Sequence, residues 1–382
     1  MHSSHRSLRT FLAVLIIGMM LPSLAMAADG RIAFVLGGVT VNGEPAKRGT
    51  PVEQGDEIRA AIGANALVVM KDKTTLRVAS DSTVRIKEYS FDEDQPATGK
   101  VVVALARGTL RFISGLINKR KPGASSVTTP VATMGIRGSD GVFTYAPASG
   151  DFVVQFNRGS GVMSFFDNTG AVVATVNVPT NQRSRATIGQ PQVVQEPVVP
   201  DTVTAALNNS KNAAGEVDQA AAQQQVANLD PVDRMIFLAV AATQEDQDTG
   251  TLVGAIAGAV SGADASENAA GAVFVANLLD PGNAGDHTRE ALENINAGQG
   301  GATADDAREV VRAAAEAGRQ DGEQAANTAV DMGLLSRPEA QQEIRDVTGD
   351  TGQGAQPQPQ QNQEPVEETP EENPSRDSVS PS

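Results

Sequence analysis

Cysteine is absent from all 382 positions, so the chain can form no disulfide, no thiolate metal site and no lipidated cysteine. Tryptophan is absent too, and aromatic residues make up only 3% of the chain. That scarcity argues against stacking platforms for nucleic acid and against the aromatic surfaces on which carboxylate-pair hydrolases hold their substrates. Histidine is nearly missing: beyond His2 and His5 there is only His287, and no Ser-His-Asp or Cys-His set can form around it. Gly159-Ser-Gly161 lacks the Gly-x-Ser-x-Gly elbow. Acidic clusters exist at Asp92-Glu-Asp94 and Glu245-Asp-Gln-Asp248, but neither has the spacing of a calcium loop, and both read as solvated. The expectation is a protein that is not an enzyme and carries neither metal nor cofactor.

Long apolar runs are lacking as well. Thr251 to Gly262 is ended by Asp264 and Glu267, and its Gly254 and Gly258 point to close helix packing or a Gly/Ala loop, not a membrane span. The apolar run at the start, Phe11 to Leu21 after Arg6 and Arg9, is too short to span a bilayer and leads to Ala25-Met-Ala27. This is the pattern of a secretory signal peptide over 1–27, cleaved after Ala27. The expected location is the periplasm, with the cell surface or exterior as the alternative.

What is present divides in two by charge. From 28 to 190, 19 Lys or Arg stand against 14 Asp or Glu, whereas from 191 to 382 the numbers are 9 against 32. The halves meet at Gln190-Pro-Gln-Val-Val-Gln-Glu-Pro-Val-Val-Pro200, whose prolines mark 191–202 as an extended linker. The first half holds short alternating runs between turn residues: 31–36, 39–41, 66–70, 75–78, 83–86, 101–105, 109–113 and 162–166. Asp167-Asn-Thr-Gly170 then turns into 171–176 as a hairpin. About a dozen strands at this spacing imply an all-β sandwich or barrel over 28–190. The second half, 203–350, is an acidic, Ala- and Gln-rich region with helix starts at Asp230-Pro231 and at Thr303 to Asp306. Ala227-Asn-Leu-Asp-Pro231 recurs loosely at 276–281, which would suit a duplicated helical unit or chance. From 351 to 382 the Pro, Gln and Glu content predicts a disordered tail.

Within the β half, Gly55-Asp-Glu-Ile58, Ala66 to Met70, Leu76-Arg-Val78, Ser82 to Ile86, Leu105 to Arg111 and Thr129-Pro-Val-Ala-Thr-Met-Gly-Ile-Arg-Gly138 follow an order and spacing that resembles the FecR domain family. The core of the likeness covers about residues 50–145. Ser139 stands where the family's closing motif usually has Thr, and the hairpin 71–74 lacks the family's Asp-Gly. The resemblance implies a periplasmic, jelly-roll-like, non-catalytic β domain. The family's namesake relays a receptor's state through the inner membrane to a sigma factor, yet this chain begins with a cleavable signal instead of a cytoplasmic segment and a span. A binding module for a protein or envelope glycan is therefore expected. The alternatives are a structural envelope component, or the periplasmic part of a signalling system with a separate membrane partner. Nucleic acid is not an expected partner.

Arg137 stands between Gly135 and Gly138, where backbone can come close to a guanidinium whose five donors satisfy several acceptors at once. Arg137, Gly135, Gly138 and Asp140 are the candidate structural or partner-contact residues, with a fold-holding clamp favoured for the arginine over a ligand contact. The basic run Lys119-Arg-Lys121 is solvated or touches phosphate, lipopolysaccharide or the acidic half.

Overall fold

In a computed structural model, residues 28–349 are described apart from 168, 191, 245, 246, 263, 298 and 299. The expected signal peptide and C-terminal tail lie outside the described residues. A β-rich N-terminal region is followed by helices. The strands are β1 (Gly30–Leu36), β2 (Val39–Val41), β3 (Glu44–Pro45), β4 (Pro51–Val52), β5 (Glu57–Ala60), β6 (Asn65–Met70), β7 (Thr75–Val78) and β8 (Ser82–Ser90). They continue through β9 (Lys100–Ile113), β10 (Ser125–Thr128), β11 (Ala132–Ala146), β12 (Asp151–Phe166), β13 (Val172–Val178), β14 (Arg183–Thr187) and β15 (Val194–Glu196). A short helix, α1 (Leu116–Arg120), interrupts them.

All fifteen strands belong to one hydrogen-bonded sheet, which folds back on itself as two layers. Three long strands run through both layers. The first halves of β9 and β11 and the second half of β12 join β2, β3, β5, β8, β10 and β13 in layer A. Their other halves join β1, β4, β6, β7, β14 and β15 in layer B. Alternation along each strand sends one set of side chains between the layers: Ile58, Val84, Ile86 and Met134 from one side, and Val68, Leu76, Phe112, Phe143 and Phe156 from the other, share a single core.

The crossover needs glycine. β9 changes layers at Gly108, β11 at Gly138 and β12 at Gly159, with φ of 86°, 105° and 81°, conformations that cost an L side chain and mark strand corners. At Gly108 a Cβ would also lie 2.2 Å from Ser82 Oγ. The runs 101–105 and 109–113, expected as two strands, are thus one strand bent at Arg107-Gly108.

Nine helices among the described residues follow: α2 (Thr202–Asn209), α3 (Gln219–Val226), α4 (Pro231–Ala242), α5 (Thr249–Gly258), α6 (Ala265–Leu279), α7 (Ala284–Asn294), α8 (Ala304–Ala317), α9 (Arg319–Asp331) and α10 (Arg337–Thr348). Part of the acidic excess sits at their N-termini. Asp201, Asp218, Asp230 and Asp248 each accept a hydrogen bond from the backbone N–H of the first turn, and Thr303 and Ser336 open capping boxes. Carboxylates there also meet the positive end of the helix dipole. Alanine and glycine let the helices approach closely: a Cβ on Gly254 would fall 2.3 Å from Gln219 Nε2 and 2.8 Å from Glu290 Oε2, so the Gly254/Gly258 pair packs α5 against its neighbours. Each Ala-Asn-Leu repeat lies at a junction between helices, 227–231 from the end of α3 to the start of α4 and 276–281 across the end of α6.

The helices form a cap on layer B. β6 is buried at Ala66, Val68 and Met70 toward the β core and at Leu67 and Val69 toward the helices. Phe34 of β1 lies in the same helical core, its ring 3.3 Å from where a Cβ on Gly271 of α6 would stand. α6 itself is buried on nearly every side, as a helix apolar all round must be.

Candidate interaction site

Beside that apolar patch, the outward positions of layer B turn polar. Arg111 lies between inward-facing Leu110 and Phe112 on β9, and Asp140 of β11 is paired in register with the next outward residue of β9, Ile113. The Arg111 guanidinium forks twice. Nε and Nη2 donate to the two oxygens of Asp140 at 2.8 and 2.6 Å, while Nη1 and Nη2 donate to those of Asp201 at 3.0 and 2.9 Å. Arg111 is 4% exposed and Asp140 1%. Burial would lower the Arg111 pKa, but the charges of Asp140 and Asp201 outweigh it and hold the cation above its ordinary range. Desolvation pushes the Asp201 carboxyl up, and Arg111 with the Thr204 bonds brings it below the usual carboxylate range. Asp201 also caps α2 through the Thr204 N–H and hydroxyl. One side chain thus starts the helical cap and ties it to the sheet.

Further ties run along the same boundary. Arg77 Nη1 donates to Asp233 of α4 at 2.5 Å. Arg48 donates to Glu316 at 2.6 Å and to Glu309 at 3.0 Å, both on α8. Arg158 Nη2 reaches Thr243 Oγ1 at 2.8 Å and Lys119 Nζ the Thr243 carbonyl at 3.1 Å, just past the end of α4. The opposite charges of the two halves therefore meet inside one molecule, and Lys119 of the basic run serves the acidic half. The proline-rich segment is held as well: β15 pairs with β14, and Gln155 exchanges side-chain hydrogen bonds with the Val199 backbone at 2.8 and 2.9 Å.

Of the residues singled out in the sequence, Asp140 is central to this cluster and Arg137 is outside it. Arg137 is exposed at the β11 corner, and among the described residues its side chain has no hydrogen-bond or ion-pair partner. The clamp expected there is built on Arg111 instead, because the kink at Gly138 aims Arg137 at solvent while Asp140 enters layer B beneath the cap. Gly135 lies in the regular ladder opposite Val162 and Ser126, and Gly138 provides the bend. Arg111, Asp201, Arg77 and Asp233 were not flagged by sequence. Their signal was the run Ala66 to Met70, apolar at both parities, which announces a strand covered on both faces.

His287 is buried in α7, its Nε2 2.9 Å from Thr249 Oγ1 and its Nδ1 2.6 Å from Asn277 Oδ1. Thr249 donates to Asp280 at 2.7 Å. Burial depresses the imidazole pKa, against the pull of Asp280, Asp248 and Asp286. The unfolded chain therefore takes up a proton that the folded chain resists. This contribution to stability is complete above about pH 6.5 and declines as pH falls toward the depressed folded value. Urea midpoints of wild type and His287→Gln, compared between neutral and mildly acidic pH, should show the variant losing this part of the slope. Equal slopes would remove His287 from the account.

Among the described residues no group of three or more His, Asp or Glu side chains is placed to hold a metal ion, and no helix is long and apolar enough to cross a membrane. A groove of about 450 Å³ lies between α9 and α10, lined among others by Ala326, Val330, Ala340, Ile344, Arg319, Arg337 and Arg345.

A family model described as FecR protein matches residues 56–160, from the turn before β5 to the corner of β12. Two crystal structures of a candidate anti-sigma factor from Parabacteroides distasonis ATCC 8503 are similar at 16% identity and a TM-score of 0.30. One alignment covers 40% of this chain and 63% of that one, the other 42% and 70%. In the first the chain thus spans less than two thirds of the relative's length. No curated protein matches the sequence.

Proposed function

Since residues 56–160 are a FecR domain, we propose that the chain is an exported, non-enzymatic interaction module whose β domain and helical cap act as one body on a protein partner in the cell envelope. The β domain is read as a jelly-roll-like sandwich, two layers wound about one core through three shared strands. The signal-peptide pattern of 1–27 supports export, and with it a periplasmic location for the mature chain. Glycan binding is the less favoured reading, since Tyr89 and Tyr145, the only tyrosines, are both buried.

The observation that carries the reading is the covered outer face of layer B. With α4 and α6 seated on β1 and β6, and Arg111 closed by two carboxylates, the β surface left for a partner is the outer face of layer A. That face presents Arg59, Arg85, Lys87 and Lys100, with Glu57 and Glu88 as counterions to Arg85 and Lys100 at 3.0 and 2.8 Å. Arg137 stands at its corner as a contact residue. Such a surface favours an acidic segment of the partner and makes association salt-dependent.

Site-specific photo-crosslinking in the full-length chain, from Lys87 and separately from Asn327 on the cap, tests this. A discrete protein adduct from Lys87, on a chain that begins at Ala28 and fractionates with the periplasm, is the expected result. Adducts from Asn327 alone, or an unprocessed chain in the cytoplasm, would overturn it.

A further inference from the structure

We propose that two copies of this chain join edge to edge through β13, making layer A continuous across a two-fold axis. Among the described residues β13 closes layer A and pairs with β12 alone. The other sheet edges among the described residues are β3 and β4, two residues each, and β15, three residues followed by Pro197 and Pro200. Short strands and prolines are the devices by which proteins blunt an edge. β13 is longer: its seven residues, Val172-Val-Ala-Thr-Val-Asn-Val178, contain no charge and no proline within the strand, and Pro179 follows only at its end. Val172 and Val173 are 57% and 46% exposed.

The neutrality extends inward. Ser125–Thr128 of β10, residues 132–136 of β11 and 161–166 of β12 also carry no charge. A chain of net charge −16 therefore has, at this one end of a layer, a surface that a second copy can approach without like-charge repulsion.

Strand geometry selects the register. A bulge interrupts β13 between Val172 and Ala174, and the regular ladder runs from Ala174, opposite Phe165, to Val178, opposite Gly161. Along it Ala174, Val176 and Val178 turn inward while Thr175 and Asn177 are exposed. Antiparallel neighbours keep opposed side chains on the same face. Full overlap of the regular segment with itself centres the axis on Val176. Ala174 then opposes Val178, Val176 opposes Val176, and Thr175 opposes Asn177 twice, all with faces matched. A two-fold pairing of this kind is closed, so it stops at two copies. A five-residue ladder is far smaller than the roughly 1,200–2,000 Å² of a standard stable interface, so the dimer forms at high concentration and dissociates on dilution.

Sedimentation velocity on the full chain over rising concentration tests the proposal, with two charged variants, Thr175→Lys/Asn177→Lys and Thr175→Glu/Asn177→Glu. Both positions are exposed, so each variant should keep the wild-type circular dichroism and melting temperature. Wild type is expected to shift from monomer to dimer. Each variant alone, with like charges opposed at every outward pair, should need at least tenfold more protein, and an equimolar mixture of the two should dimerise again. A wild type that stays monomeric at its solubility limit overturns the proposal, as does a dimer indifferent to the variants or a mixture that fails to pair.

Discussion

Arg111→Ala is expected to destabilise the chain by about 3–5 kcal/mol, the cost of leaving buried carboxylates without their cation, read as a lowered midpoint in chemical denaturation. The size follows from geometry. Asp140 is 1% exposed and cannot recover solvent when the guanidinium leaves, and Asp201 loses two of the bonds that position the start of α2. Arg158 is the nearest substitute cation, but its own pKa is lowered by burial and it is committed to Thr243. Arg111→Lys should recover only part of the loss, because one ammonium cannot reproduce two forks. If Arg111→Ala unfolds at the wild-type midpoint, the cluster does not tie the cap to the sheet.

Phe34→Ala tests the apolar half of the same boundary and should cost about 3–5 kcal/mol, the range for removing a buried phenylalanine. The ring lies over Gly271 of α6, where a Cβ would make a tight 3.3 Å contact with it. Where in that range the cost falls depends on how far the flexible Met235, whose sulfur lies 3.5 Å from the same Cβ position, can move into the space. A cost below about 0.5 kcal/mol, the range of ordinary surface substitutions, would mean that the helices rest lightly on layer B.

Much of the strand order was legible because alternation is a local property. β1, β2, β6, β7 and β8 fall where period-two patterns predict them, and Asp230 and Thr303 cap the helices they precede. What escaped were features that depend on a second layer. Arg107-Gly108 reads as a turn between two strands, when it is one strand passing a corner. The same dipeptide recurs at Arg137-Gly138 and Arg158-Gly159, which are also corners of the fold, and at Arg48-Gly49, in the turn between β3 and β4. That repetition was the available sign that Arg137 belongs to a bend. Arg111 looked like an ordinary outward arginine in an alternating strand, and only the cap, some 90 residues later in sequence, turns outward into buried. The charge split pointed to the contact between halves, but not to the particular pairs, because pairing depends on which face each strand presents.

The central claim is that the FecR domain and the helical cap unfold as one body. The chain offers a direct test: Tyr89 and Tyr145, its only tyrosines, both lie in the β domain, and tryptophan is absent. Tyrosine fluorescence therefore reports the β domain, while far-ultraviolet circular dichroism is dominated by the helices. Urea unfolding followed by both signals should give a single coincident transition. Two separated transitions, with the helical signal lost while the tyrosines remain buried, would contradict the account.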